Sequence, residues 1–172
     1  MINPLLLPEL REMLAEDDAE QLRAFCIELH PARTAEFIEG LSAEEAWKVL
    51  TYADLPIREE IFGYIDEAKQ VAIIEICDRQ QIAQLIAELP ADDRVDLMRE
   101  VDLQVVDQLL PLMPTKERRE LLRLRTYPEE TAGALMTTEL AKLDESVSVT
   151  EALDELGRQA ADLEIINYLY IV

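Results

Sequence analysis

The chain has 172 residues, of which 49% are hydrophobic but only 5% aromatic, with four glycines. That balance favours Leu/Ile/Ala packing between helices over a turn-rich β architecture, and the length suits one full domain plus a smaller piece. Its 37 acidic and 16 basic residues leave a net charge of −21, which repels nucleic acid and anionic headgroups and suits hard divalent cations or a basic protein surface.

The N-terminal stretch MINPLLLPELREM has no basic leader and no long apolar run, so it is not read as a signal peptide. No 18 apolar residues run together anywhere, so no segment is expected to span a bilayer. Cys26 and Cys77 stand 51 residues apart without CxxC spacing or a His cluster. They read as small buried apolar residues of a reducing compartment. His30, the one histidine, precedes Pro31 and is expected to cap the C-terminus of a helix.

An internal repeat organises the next hundred residues. Apolar pairs recur every 24 residues as Phe37-Ile38, Ile61-Phe62, Leu85-Ile86 and Leu109-Leu110, and again as Val49-Leu50, Ile73-Ile74, Leu97-Met98 and Leu121-Leu122. Leu41, Ile65, Leu89 and Met113 keep the same step, each followed by a residue suited to a break: Ser42, Asp66, Pro90 or Pro114. A weaker copy carries Met13-Leu14 and Phe25-Cys26 around Glu16-Asp17-Asp18. Each unit reads as two short helices, with Ser42 and Glu45 forming a capping box and Trp47 packed between helices. Helices this short need stacked neighbours, so the expected fold is mainly α, a compact right-handed α-superhelix of 24-residue helix pairs over residues 1–126.

After Thr126 the pattern changes. TYPEETAGALMTTEL brings Pro128, Gly133 and threonines, and alternation follows in Leu140-Ala141-Lys142-Leu143. Ser148 then caps an amphipathic helix with Val149, Ala152, Leu153 and Leu156 on one face, and IINYLYIV closes the chain as a strand. A strand ending the chain in a continuous apolar run belongs inside a larger sheet. Residues 127–172 are therefore expected to be a β-α-β piece truncated within a second domain.

The segment from Tyr127 through Pro128, Glu129, Glu130, Thr131, Ala132 and Gly133 to Thr137 resembles the junction of MgtE-type magnesium transporters, where a helical N domain meets the first cystathionine-β-synthase-like (CBS) module. Val149–Leu153 through Tyr168–Val172 is similar to the first half of that module, and Leu29-His30-Pro31 and Leu89–Asp93 to the N domain. The resemblance implies a homodimeric transporter at the cytoplasmic face of the cell membrane. This fragment would be its soluble regulatory part, with its own further CBS and membrane domains as partners. Mg²⁺ would bind between acidic faces of the N and CBS domains, hold them compact and keep the pore shut.

Asp92, Asp93 and Asp96 are the leading candidates for Mg²⁺ contact, because their helical spacing gives them one neighbourhood. Carboxylates in a first turn also simply complement a helix N-terminus. The resemblance places Asp92 where the family has an interdomain ligand, and Glu60 at an acidic position facing the CBS dimer. Glu129 and Glu130 read as capping or solvated residues of the junction. No nucleophile triad, phosphate loop or calcium loop occurs, so no enzyme is expected and no catalytic residue is assigned. The competing readings are an acidic α-solenoid adaptor for protein interactions and a CBS-type nucleotide sensor.

Overall fold

The computed structural model describes residues 7–128, 131–133, 136, 140–160, 163 and 168–172. Among the described residues ten helices come first: α1 (Leu7–Glu16), α2 (Ala19–Glu28), α3 (Pro31–Ile38), α4 (Ala43–Leu50), α5 (Leu55–Gly63), α6 (Glu67–Ile76), α7 (Arg79–Glu88), α8 (Ala91–Glu100), α9 (Leu103–Leu109) and α10 (Thr115–Leu124). A short 3₁₀ turn, Leu110–Leu112, follows α9. Then come β1 (Ala141–Leu143), α11 (Val149–Gln159) and β2 (Leu169–Ile171).

The helix pairs expected from the 24-residue step are present, and each pair divides into two equal halves. N-caps fall every 12 residues at Asp18, His30, Ser42, Asp54, Asp66, Asp78, Pro90, Asp102 and Pro114. The carboxylates of Asp18, Asp66, Asp78 and Asp102 accept backbone N–H bonds from the first turns they open. Ser42 and Glu45 make the reciprocal capping box. Such caps satisfy first-turn donors that no helix can satisfy internally, and in helices this short they are a large share of the backbone. His30 also belongs to this series, which corrects its expected place. Its Nδ1 accepts from the Ala32 N–H at 3.3 Å, so it caps the start of α3, while Leu29 is the C-cap of α2. Pro31 at the first position of α3 explains the shift, because proline begins helices readily.

Packing runs between helices two apart in sequence. α3, α5, α7 and α9 form one column and α4, α6, α8 and α10 the other. The apolar pairs of the repeat turn inward, and Ile38, Val49, Leu50, Ile61, Phe62, Ile73, Ile74, Leu85, Ile86 and Met98 are fully buried in one continuous core. Trp47 is buried beneath the Arg58 guanidinium, 5.6 Å from its ring centre. Cys26 is buried, whereas Cys77 is only half-buried; both thiols are free, and burial pushes each up to about 11.

At one position of the 12-residue register three copies are polar, while Ala46, Ile82 and Val106 at the same step are buried and apolar. Arg58, Gln70 and Arg94 each reach back eight residues to a carbonyl ending the previous helix: Leu50 at 2.9 Å, Phe62 at 2.6 Å and Ile86 at 3.0 Å. Arg58 and Arg94 each serve two further carbonyls of the same turn. Helix ends leave carbonyls without partners, and these side chains supply them inside the stack.

Downstream, β1 and β2 pair in parallel, with Ala141 opposite Leu169 and Leu143 opposite Ile171, joined through α11. Ser148 and Glu151 form the second capping box. Within the IINYLYIV run, residues 165–167 lie outside the described residues, as do Glu129 and Glu130. Gly133 lies against the Tyr127 ring, where any Cβ would overlap it. Among the described residues no helix is long and apolar enough to cross a membrane.

Candidate functional site

α8 carries the leading carboxylates. Pro90 precedes it in extended conformation, and Asp92 and Asp93 occupy its first turn, where negative charge complements the helix dipole. Arg94, Val95, Leu97 and Met98 are buried and fix the helix in the stack. Asp93 and Asp96 are thereby held on the outer side.

These two carboxylates line a groove of about 240 Å³ between α8 and the start of α6, with Glu67, Gln70, Gly63, Ile65, Leu89 and Leu97. Asp96 accepts from Arg99 at 2.8 Å, and Arg99 also donates to the Tyr127 carbonyl at 3.3 Å. The side of α8 that bears Asp96 is thus tied to the stretch that follows α10. Asp92 does not line this groove; its Oδ1 is buried and has no hydrogen-bond partner among the described residues. Glu60 is exposed on α5 and is likewise absent from the groove lining. The structure therefore brings Asp93 and Asp96 together and leaves Asp92 and Glu60 apart from that groove.

Glu67 and Gln70 were not singled out from the sequence. The 24-residue step carries their signal, since it stacks the first turn of α6 beside that of α8. Carboxylate and amide oxygens are the hard donors that Mg²⁺ prefers, so the donor chemistry of the groove suits that ion. Among the described residues, no group of three or more His, Cys, Asp or Glu is placed to hold a metal ion. The face offers oxygen donors and leaves further ligands to be supplied from elsewhere.

A second polar cluster lies at the α1–α2 turn. Asp17 sits in the left-handed region at φ 56° and receives Lys48 and the Tyr52 hydroxyl, each at 2.7 Å. The Lys48 hydrogen bond, then that of Tyr52, hold its carboxyl below the usual range. Its partners lie 31 and 35 residues away, too far for spacing to reveal, and its work is to pin the turn onto α4.

The helices that build this face, α3 to α10, lie inside a match to the family model of the MgtE intracellular N domain, over residues 29–130. The chain belongs to the MgtE intracellular N domain family. It is 30% identical to the magnesium transporter MgtE of Thermus thermophilus over 166 residues, covering 95% of this chain and 37% of that protein. With the magnesium transporter MgtE of Bacillus subtilis, identity is 23% over 160 residues, covering 93% and 36%. The chain thus spans little more than a third of these relatives. Among solved structures, the soluble part of a magnesium transporter superposes with a TM-score of 0.82 at 27% identity, over 96% of this chain and 66% of that one. The cytosolic domain of the Mg²⁺ channel MgtE in complex with ATP gives 0.82 at 30%, over 95% and 67%. The likeness therefore extends past the N domain into the β-α-β piece.

Proposed function

We propose that this chain is the cytosolic, magnesium-sensing part of a magnesium transporter and has no catalytic role. The observation that carries the proposal is the MgtE N domain match across the helices that present the α8 carboxylates. In this view residues 1–126 form a right-handed α-superhelix, and residues 127–172 form the junction and the first half of a CBS module. The full-length protein is a homodimer at the cytoplasmic face of the membrane, with its pore in a domain beyond this chain.

Asp92, Asp93, Asp96 and Glu60 contact regulatory Mg²⁺ at the face opposed to the CBS modules. The physics follows from a net charge of −21. Opposed acidic faces repel, and a divalent ion shared between them removes the repulsion and draws them together. When Mg²⁺ falls, the faces separate and the pore is released. The buried, unpaired Oδ1 of Asp92 and the groove of Asp93 and Asp96 support this assignment.

The test is limited proteolysis of the complete cytosolic region. Millimolar Mg²⁺ is expected to protect it, and Asp92→Ala to weaken the protection. Indifference of the wild-type region to Mg²⁺ would refute the sensing role. The isolated chain lacks the opposing carboxylates, so calorimetry should detect only weak Mg²⁺ binding to it. Because one solved relative is a complex with ATP, a nucleotide-responsive role of the complete CBS pair is the second reading. ATP binding to the full region, with compactness unmoved by Mg²⁺, would favour it.

A further inference from the structure

The sign of the surface reverses at the end of the helical stack. From Arg11 to Arg99 every basic side chain is engaged by a carboxylate or a backbone carbonyl. The stretch Thr115–Arg125 then carries five of the chain's 16 basic residues against two acidic ones. Lys116, Arg119 and Arg123 are exposed and follow one side of α10 at helical spacing. Their side chains make no hydrogen bond or ion pair with any described residue. Leu122 beside them is 46% exposed, and Leu112, just ahead of the helix, 38%.

We infer that this edge of α10 is a docking surface for anionic lipid headgroups. α10 is the last helix of its column and packs chiefly on α8, so no further layer of that column lies over it and the acidic layers of α8, α6 and α4 lie behind it. Those layers stand back by about 10 Å each, beyond the screening length of about 8 Å at physiological salt. The chain-wide charge therefore repels lipid in general but not at this edge. Each cation at an anionic surface improves partitioning on the order of fivefold, so three give roughly a hundredfold preference over a neutral one. The two leucines fit the same partner, because they can enter the headgroup boundary while the long cationic side chains reach phosphates. A second copy of the chain would bring acidic side chains to the three cations but offers the two leucines no such boundary. So weak a contact acts when the domain is tethered beside a membrane, which raises its effective concentration; only this tether rests on the transporter reading above.

The test is co-sedimentation of this 172-residue chain, at about 0.15 M salt, with vesicles of phosphatidylcholine alone or mixed with phosphatidylglycerol. Binding is expected only to the anionic vesicles, and salt of about 0.5 M should abolish it. The triple variant Lys116→Glu, Arg119→Glu, Arg123→Glu should lose binding while keeping the wild-type circular dichroism and melting curve. Because reversal could unfold α10, the variant Arg119→Lys, Arg123→Lys serves beside it and should bind like wild type. Equal binding to neutral vesicles, no binding to either kind, or wild-type binding by a folded triple variant overturns the proposal. So does a salt-sensitive dimer abolished by the same reversals in a chain that ignores vesicles, since the partner is then protein. Magnesium protection of the complete region is a separate readout, so either idea can fail alone.

Discussion

The helical stack and the β-α-β piece solve the problem of burial in opposite ways. In the stack every layer covers the one before it, so helices of ten residues or fewer bury side chains as large as Phe62 completely. In the β-α-β piece the amphipathic helix has its apolar face largely bare, with Val149 at 77% and Leu153 at 65% exposure. All three residues of β2 are exposed, and among the described residues its one neighbour is β1. A repeat grows by adding similar interfaces, and each new layer contributes its own burial to the stack. A sheet with a helix on one face closes only when its remaining strands and helices arrive. Local capping is equally good in both regions, as the two capping boxes show. What separates them is cover.

Core substitutions should expose that difference most sharply. Phe62→Ala removes a fully buried ring from the stack and is expected to cost about 3–5 kcal/mol in urea unfolding. Arg94→Ala should cost about 3 kcal/mol, since it strands the carbonyls of Ile86, Ala87 and Leu89 within the stack and removes the buried charge that faces Glu120 at 3.6 Å. Arg94→Lys should recover only part of that, because an ammonium on a shorter reach cannot span the three carbonyls as the planar fork does. A loss below 1 kcal/mol for Arg94→Ala would show that the register contact is incidental to the stack. Further down the scale, Asp78→Ala removes a cap from two N–H groups of α7 and should cost about 1 kcal/mol. Leu153→Ser, on the bare face of α11, should move the unfolding midpoint of this chain by less than about 0.5 kcal/mol. A large effect there would mean that the helix is covered after all.

The stack was legible because its information is periodic. Apolar pairs, break residues and caps repeat together, and stacked copies put equivalent residues in equivalent places. The 12-residue half-step was present in the same pairs, since Val49-Leu50 follows Phe37-Ile38 by that interval. Arg94 and Gln70 were not legible as carbonyl caps, because a polar residue in a core register looks like an exception until the preceding helix end is placed beside it. The candidate site was legible only in part. Spacing along one helix grouped Asp92 with Asp93 and Asp96, whereas the groove is made between two helices and takes Glu67 in place of Asp92. Helical spacing reports which side chains leave one helix together, and the neighbouring helix decides where each of them arrives.

The smallest expected effect concerns the edge where the stack begins, and it asks whether even the first turn is held by the layer beyond it. Asp17 is drawn toward Lys48 and Tyr52 of the α4 segment, and its carboxyl lies below the ordinary value of 3.8, chiefly through the Lys48 hydrogen bond. An acid whose folded value is depressed contributes stability that is present above 3.8 and fades as pH falls through the folded value. Lys48 and Tyr52 are both raised through the same carboxylate. Their contributions are present below 10.5 and 10.0, and fade as pH rises through the raised values. The cluster should therefore stabilise the turn across a plateau from just above pH 3.8 to about pH 10, and weaken at both ends. Asp17→Asn keeps a residue tolerant of the left-handed backbone but removes the charge. Its unfolding midpoint should fall slightly below wild type on the plateau and converge with it in acid. If the two proteins differ equally at every pH, the turn is held by backbone geometry and packing on α4, and the three side chains only decorate it.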